Sequence, residues 1–219
     1  MRLGVLVSGR GSNLEALLGA GLPVALVISN RPGVRALDIA ERYGVRTLVL
    51  RAPDFPDAGA RDAAIADALA SADIDLAILA GYDQLLRAPY FASFGGRTIN
   101  IHPSLLPAHG GAGMVGLAVH RSVLASGEPE TGASVHEVTD ALDAGPVIAR
   151  APVPVLPGDN AESLAARVLQ VEHRLLVETV SAMAAEGMVG MRRASMLGGA
   201  SRGASPTQER PIPFHGHDT

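Results

Sequence analysis

Residues 3–13 read Leu-Gly-Val-Leu-Val-Ser-Gly-Arg-Gly-Ser-Asn, an apolar run that passes directly into a turn rich in glycine and serine. The run from Leu3 to Val7 has no polar face, which is typical of a strand covered on both sides in a parallel sheet. Ser12 then opens a helix-like segment that continues to Leu18. This stretch therefore predicts a strand, a tight turn and a helix, the first half of a β-α-β unit.

The same alternation continues through the first half of the chain. Further apolar runs bounded by turn residues predict strands, and helix-like segments separate the first four strands of the series. Gly44 is suited to cap the second helix, because glycine readily adopts the left-handed conformation that ends many helices. The predicted strands are Val24 to Ser29, Arg46 to Leu50, Leu76 to Ala80 and Thr98 to Ile101, and the predicted helices are Val34 to Tyr43 and Gly59 to Ala70.

The second half of the chain changes character and ends in a long helical pattern. That helix should begin with Asp159 or Asn160 as its N-cap and end at Glu186, before Gly187. The other predicted features are a glycine-rich segment from His109 to Gly116, a helix over Leu117 to Ala125, and strands over Gly132 to Val138 and Pro146 to Val155.

Length and periodicity together indicate one domain. A chain of 219 residues suits a single hydrophobic core. Because the periodicity stops towards the C-terminus, we expect one domain over residues 1–190 and a disordered tail over 198–219. The expected fold class is α/β, with a mostly parallel twisted sheet of about seven strands and helices on both faces.

The composition excludes several classes of function. The chain has no Cys, so it has no thiolate nucleophile or Cys-bound zinc, and it has no Lys for Schiff-base chemistry or a standard Walker-type phosphate loop. Its formal net charge of −4 and its scattered arginines do not predict nucleic-acid binding. No apolar stretch has the length of a signal peptide or membrane span, so we expect a cytoplasmic protein with no membrane partner.

The first strand-to-helix turn, residues 8–13, is a candidate anion site. Unpaired N–H groups and the helix dipole at such a turn favour a phosphate. A dinucleotide fits less well, because Leu14 occupies the position of the third glycine and Ser29-Asn30 replaces the acid that would bind a ribose. The turn therefore predicts a phosphomonoester site, with a plain tight turn capped by Ser12 or Asn13 as the open alternative.

Asn100 and His102 lie two positions apart at the end of the fifth predicted strand and therefore share a face. Pro103 ends the strand, which places both side chains at the carboxyl end of the sheet, where α/β folds bind ligands. An amide can donate to a developing oxyanion, and an imidazole can give or take a proton near neutral pH. The pair predicts a catalytic site, unless both side chains are satisfied structurally.

The turn between the sixth and seventh predicted strands carries two acids, Asp140 and Asp143. Acids in turns usually accept hydrogen bonds from the main chain, but a carboxylate that reached His102 would orient its ring for proton transfer. The histidines have no zinc-like spacing, and no Gly-x-Ser-x-Gly turn occurs. We therefore expect neither a metal nor a serine nucleophile.

Three motifs, in this order and spacing, resemble the phosphoribosylglycinamide formyltransferases, or glycinamide ribonucleotide transformylases, which are folate-dependent enzymes of purine synthesis. They are Gly9 to Asn13, Asn100 to Pro107 and Leu142 to Val147, and the resemblance extends from about Leu3 to Gly187. It implies a Rossmann-like formyltransferase fold and formyl transfer from 10-formyltetrahydrofolate to the amine of glycinamide ribonucleotide. A monomer and a homodimer are both compatible with it.

The resemblance also implies roles for individual residues. Asn100, His102 and Asp143 would form a catalytic trio: the amine attacks directly, Asn100 and protonated His102 stabilise the oxyanion, and Asp143 assists proton transfer. The residues implied for the phosphate and ribose are Gly11, Ser12, Asn13 and Glu172, and those implied for the folate are Tyr82, Asp83, Gln84, Leu85, Leu86, Asn100 and Asp140.

Some positions depart from the family pattern. Asp83-Gln84 stands where Met and a basic residue are frequent, and Ala112 and Val115 stand where one branch has Lys and Tyr. Glu137 replaces an apolar or aromatic residue, and Arg61 is only a loose match for a basic residue near the third helix. These departures affect expected contacts with the folate tail and leave the trio intact.

Other classes of protein fit the sequence less well. Methionyl-tRNA formyltransferase shares the Asn, His and Asp pattern but would need an added C-terminal domain and a basic tRNA surface. Formyltetrahydrofolate hydrolase would need an extra N-terminal domain. A non-catalytic nucleotide-binding module would explain the phosphate turn but would leave Asn100 and His102 without a purpose.

Overall fold

The structure is a computed structural model that describes the chain from residue 1 to residue 198, and the side-chain surroundings up to residue 186. Apart from Gly198, the tail expected over 198–219 lies outside the described residues.

Seven strands form one sheet, which confirms the predicted α/β class and the mostly parallel sheet. The order across the sheet is β3-β2-β1-β4-β5-β6-β7. The first five strands are parallel, and β6 and β7 are antiparallel to their neighbours. The strands are β1 Leu3–Val7, β2 Val24–Ser29, β3 Arg46–Val49, β4 Leu76–Leu79, β5 Arg97–His102, β6 Glu130–Glu137 and β7 Val147–Pro154.

Helices connect the strands and cover both faces of the sheet. They are α1 Ser12–Gly19, α2 Arg35–Arg42, α3 Ala58–Ser71, α4 Ala88–Ser93, α5 Leu117–Ser126 and α6 Ala161–Gly198. A short 3-10 turn over Ala52–Asp54 precedes α3. As predicted, Asn160 caps α6, because its Oδ1 accepts a hydrogen bond from the main-chain N of Ser163 at 2.8 Å.

Two helices differ from the sequence prediction. The segment between β4 and β5 contains α4, whose six residues are too few to show a helical period. The prediction that the last helix ends at Glu186 is wrong, because α6 passes through Gly187 and continues to Gly198. Glycine inside a helix costs only about 1 kcal/mol relative to alanine, so the good helix formers Ala184 and Ala185 before it can carry the helix through.

Alternate residues of the central strands pack into two separate cores. Leu3, Val5 and Val7 of β1 face the first core, which α1, α2 and α6 cover. Leu6 of the same strand faces the second core, which α3 and α4 cover. This period of two is what a strand buried on both faces requires.

The order of the strands places a crevice at their carboxyl ends. β1 lies between β2 and β4, so the connection after β1 leads to one side of the strand and β4 returns on the other. Ligands bind at such a switch point in open α/β sheets. Within the described part of the chain, no helix combines the length and apolarity needed to cross a membrane.

Candidate active site

A cavity of about 1060 Å³ opens at the carboxyl ends of β1, β4 and β5. It is formed by the turn after β1, the loop after β4, the end of β5, the turn before β7 and one face of α6. The predicted site residues among its lining are Gly11, Ser12, Asn13, Tyr82, Asp83, Gln84, Leu85, Leu86, Asn100, His102, Asp143 and Glu172.

One predicted residue does not reach the cavity. Asp140 is exposed and is absent from the lining, although its neighbours Thr139 and Ala141 belong to it. Thr139 Oγ1 accepts a hydrogen bond from Ala141 N at 3.3 Å and donates one to Ala141 O at 3.2 Å, which closes a local turn. The side chain between them stays in solvent, so a contact of Asp140 with the folate would have to come from its main chain, and the role of Asp140 stays a prediction.

Asn100 and His102 reach the cavity as their spacing predicts. Both lie on β5, while Ile99 and Ile101 on the opposite face pack into the first core. Asp143 approaches from the turn before β7, with its Oδ2 at 3.7 Å from His102 Nδ1. The side chains of His102 and Asp143 are 5% and 10% exposed, so the pair is poorly screened by water.

Main-chain groups orient this pair. His102 Nε2 donates to the carbonyl oxygen of His109 at 2.9 Å, which places a proton on Nε2 and directs Nδ1 towards Asp143. The main-chain N of Gly111 donates to Asp143 Oδ2 at 2.8 Å. Asp143 has a φ of 51°, a left-handed conformation that aspartate tolerates better than most residues.

His136 orients the amide of Asn100. The two residues face each other across β5 and β6, and Asn100 Nδ2 donates to His136 Nε2 at 3.0 Å. His136 Nδ1 in turn donates to the carbonyl oxygen of Glu137 at 2.9 Å, which fixes a neutral ring with its lone pair on Nε2. Burial lowers the pKa of His136 and keeps the ring in that form. The second N–H of the Asn100 amide is thereby left for a ligand.

The turn after β1 has the features of an anion site. Gly11 takes the N-cap position of α1 with a φ of 74°, and no described side chain caps that helix. A side chain at Gly11 would meet the Cα of Ala36 at 2.7 Å, so the turn requires glycine. Among the residues that the structure describes, the first N–H groups of α1 thus have no side-chain partner, and Ser12 and Asn13 line the cavity, which argues against the plain capped turn.

Asn13 and Glu172 connect this turn to α6. Asn13 Nδ2 donates to Glu172 Oε2 at 2.9 Å, and Asn13 Oδ1 is buried without a partner among the described residues. Burial raises the pKa of Glu172, against the effect of the Asn13 hydrogen bond. A ligand that donates to the Asn13 oxygen and to the Glu172 carboxylate, such as a sugar hydroxyl pair, would satisfy both groups.

The loop after β4 is tied to the turn after β1. Asp83 N donates to Ser8 Oγ at 3.0 Å, and the Asp83 carboxylate accepts a hydrogen bond from Asn30 Nδ2 at 2.8 Å and pairs with Arg31. Although burial acts to raise it, these hydrogen bonds and the Arg31 charge hold the pKa of Asp83 below its usual value. The charge of Asp83 is therefore paired within the protein and is not free to bind a ligand in the cavity.

Tyr82, Gln84 and Arg61 complete the surroundings of this loop. Burial raises the pKa of Tyr82 to about 12, and its hydroxyl has no partner among the described residues. Arg61 is buried in α3, where it pairs with Asp62 and donates to Gln84 Oε1 at 3.3 Å. It supports the loop from behind and does not line the cavity.

Sequence reasoning missed His136 and His120, which both line the cavity. His120 is buried, burial lowers its pKa, and its Nδ1 has no partner among the described residues. Their only signal in the sequence is that each is an isolated histidine within an apolar element, a pattern that also fits a structural histidine.

Residues 1–180 match the formyl transferase family. The phosphoribosylglycinamide formyltransferase of Mycobacterium tuberculosis is 40% identical over 201 residues, which cover 90% of this chain and 91% of that protein. The protein of that name from Escherichia coli is 38% identical over 187 residues, 83% of this chain and 86% of that protein.

A solved structure gives the same result for the fold. The crystal structure of glycinamide ribonucleotide transformylase 1 from Symbiobacterium toebii is 42% identical, with a TM-score of 0.77 over 82% of this chain and 85% of that one. The trifunctional purine biosynthetic protein adenosine-3 of Drosophila melanogaster is also 42% identical over 180 residues, but this chain spans only 13% of its length.

Proposed function

This chain belongs to the formyl transferase family, and from that premise we propose that it transfers the formyl group of 10-formyltetrahydrofolate to the amine of glycinamide ribonucleotide, a step of purine synthesis. The observation that carries the proposal is the meeting of Asn100, His102 and Asp143 in one cavity beside an open helix N-terminus. These groups come from separate parts of the chain. A merely structural role would not require them to face a common cavity.

The volume of the cavity lies at the upper end of the range for ligand pockets, in keeping with two substrates bound side by side. Pockets for one small ligand typically measure about 300–1000 Å³, and this one reaches about 1060 Å³. The phosphate of the ribonucleotide would lie on the N–H groups of Gly11, Ser12 and Asn13, with its ribose near Glu172. This position leaves the space between the loop after β4 and the turn carrying Asp143 for the folate.

The buried polar atoms of the lining fit such ligands. Asn13 Oδ1, Tyr82 OH and His120 Nδ1 are buried without partners among the described residues. Unsatisfied buried polar atoms are costly, so a ligand with polar edges would gain free energy by pairing with them. The pteridine ring and the ribonucleotide both carry such edges.

In the proposed reaction the neutral amine attacks the formyl carbon directly. The free N–H of Asn100 and the Nδ1–H of protonated His102 then donate to the oxygen as it gains negative charge. The bond between the formyl carbon and the folate nitrogen breaks, and that nitrogen receives the proton that the amine loses. The proton moves through His102 Nδ1 or through a water held by Asp143, with no covalent intermediate on the protein.

Asp143 supports the charge of His102 in this scheme. The separation of 3.7 Å between His102 Nδ1 and Asp143 Oδ2 is too long for a direct hydrogen bond but is within ion-pair distance. Catalytic contacts of ligand-free proteins commonly tighten when substrate binds.

The proposal is tested by a formyl-transfer assay with three acceptors: glycinamide ribonucleotide, initiator methionyl-tRNA and water. We expect transfer to the ribonucleotide alone. Efficient transfer to the tRNA, or hydrolysis without transfer, would assign the chain to a different formyl transferase activity.

The His102→Ala variant tests the chemistry within the same assay. Loss of one oxyanion donor typically lowers turnover by about 10² or more, whereas ribonucleotide affinity should stay within a few fold because its contacts lie elsewhere. His173→Ala is a matched control, since His173 lies on α6 outside the cavity lining and should keep its turnover. Substantial turnover in His102→Ala would remove His102 from the reaction.

A further inference from the structure

A short main-chain segment contacts both members of the His102–Asp143 pair. The carbonyl oxygen of His109 accepts the hydrogen bond from His102 Nε2 at 2.9 Å, and Gly111 N donates to Asp143 Oδ2 at 2.8 Å. Residues 109–111 therefore set the orientation of the imidazole and of the carboxylate at once. Gly111 lines the cavity, whereas His109 does not.

The backbone of this segment is strained and irregular. His109 has a φ of 54°, which is uncommon for a residue with a side chain. The segment lies between β5 and α5, outside any helix or strand, and Gly111 and Gly113 after it also have positive φ values of 91° and 81°. Such a conformation persists only where other contacts hold it.

The ring of His109 supplies these contacts. Its Nδ1 lies 2.8 Å from Ser122 Oγ on α5, and its Nε2 lies 3.2 Å from a carboxylate oxygen of Glu128 just after that helix. A neutral ring satisfies both: Nε2–H donates to Glu128, and the Ser122 hydroxyl donates to Nδ1. The side chain is 10% exposed, so both bonds are partly shielded from water.

We propose that His109 is a positioning residue for the reaction. The contacts of its ring with Ser122 and Glu128 hold its main chain in place, so that its carbonyl oxygen accepts the hydrogen bond from His102 Nε2. This bond keeps the proton of the neutral His102 ring on Nε2, and Nδ1 then faces Asp143 and the cavity. The inference rests on the proposed function only for its effect on turnover. The tautomer of His102 is a property of the protein alone.

The energetic reason is the direction of the carbonyl dipole. If the proton moved to Nδ1, the lone pair of Nε2 would face the His109 oxygen, and a buried hydrogen bond would become a repulsion. The nitrogen that gains and loses a proton in the reaction would then be Nε2, which faces the His109 carbonyl oxygen instead of the substrate. Loss of the partners that orient metal-ligating histidines typically lowers activity by about 10- to 100-fold, and we expect an effect of the same order for the orientation of His102.

His109→Gly is the central variant, because glycine accepts the positive φ and removes both side-chain contacts. We expect kcat to fall about tenfold, with KM for both substrates within about twofold. In the ¹⁵N spectrum of the neutral ring, recorded at a pH where His102 has lost its Nδ1 proton, the single Nε2–H signature of His102 should give way to a mixture of tautomers. Arg121→Ala, on the exposed face of α5, is the control and should change neither readout.

Ser122→Ala and Glu128→Ala each remove one contact and keep His109. They should give smaller losses of kcat in the same direction, and they preserve the test if His109→Gly does not fold. A His102 tautomer and a kcat that stay unchanged in all three variants would overturn the proposal, even if the melting temperature fell. The tautomer is measured without substrate, so it remains decisive if the wild-type protein proves to use a different acceptor.

Discussion

Glu172 shows how a single buried side chain can serve binding at a cost to stability. The residue is only 8% exposed, and the hydrogen bond that its carboxylate accepts from Asn13 does not offset the loss of hydration. The pKa of Glu172 is therefore raised. The folded, ligand-free protein therefore holds the Glu172 proton more tightly than the unfolded chain does. The contribution of Glu172 to the free energy of unfolding is therefore most favourable at low pH. It is lost as the pH rises from 4.5, the ordinary pKa of the group, through its raised pKa in the folded protein.

Glu172→Gln should separate these two effects. The variant removes the buried charge, so its melting temperature should match that of the wild type at low pH and exceed it at pH 8. The difference at pH 8 should be about 2–4 °C for each kcal/mol of destabilisation that the charge causes in the wild type. KM for the ribonucleotide should rise about tenfold or more, because hydrogen bonds to a charged group are worth about 1.5–3 kcal/mol. Thermal melts over a pH series and steady-state kinetics give both values. A stability difference that does not vary with pH would contradict the assignment.

At the scale of elements, Asp83 joins the three loops that follow β1, β2 and β4. Its partners are Ser8 through the main chain, and Asn30 and Arg31 through the side chain. The loop proposed to hold the folate is thus tied to the turn proposed to hold the phosphate. Arg31 is 55% exposed and Asp83 30%, so the ion pair alone contributes modestly.

Asp83→Asn should therefore weaken the formyl donor site without affecting the chemistry. The amide keeps an oxygen for Asn30 but loses the charge that pairs with Arg31. An exposed pair is worth at most about 1 kcal/mol, so we expect KM for the formyl donor to rise by up to about fivefold at unchanged kcat. Asp54→Asn removes the exposed, remote pair with Arg51 and serves as the control. Equal KM values in the two variants would show that Asp83 does not shape the donor site.

The turn between β6 and β7 depends on Gly145 for its path. A Cβ there would lie 1.9 Å from the carbonyl oxygen of Glu137, so Gly145→Ala must displace the turn that carries Asp143. Overpacking of this kind costs about 1–3 kcal/mol, and we expect a lower melting temperature together with a lower kcat. Gly95→Ala, where the added Cβ meets nothing within 4 Å, should leave both unchanged. An active, stable Gly145→Ala protein would show that the position of Asp143 is less demanding than proposed.

The same elements show what the sequence can predict about the site. The shared face of Asn100 and His102 follows from the period of a strand, because that period is local. The pairing of Asn100 with His136 depends on the antiparallel register of β6 against β5, which is set by contacts far apart in the chain. The position of Asp140 depends on hydrogen bonds within one turn, and the turn sequence does not distinguish its inward from its outward residues.

For the whole molecule, the repeated strand-helix pattern and the polar residues that follow β1 and β5 predict both the class of fold and the edge of the sheet that holds the site. The antiparallel pairing of β6 with β5 and the short helix α4 lie beyond that reasoning. Neither has a local period or connection that fixes it. Both arise from the packing of the complete sheet.

The boundary of the functional unit can be tested by shortening the chain. Among the described residues, the cavity lining extends no further than Glu172 and the hydrophobic cores no further than Met183. A chain that ends at Gly198 should therefore keep the wild-type kcat and a melting temperature within about 1 °C, since a change of 1 kcal/mol would already move it by about 2–4 °C. A chain that ends before Leu175 loses Leu175, Leu176 and Val180 from the first core and should not fold. A clear drop in melting temperature for the longer form would show that residues 199–219 contribute to the folded domain, contrary to the domain expected over residues 1–190.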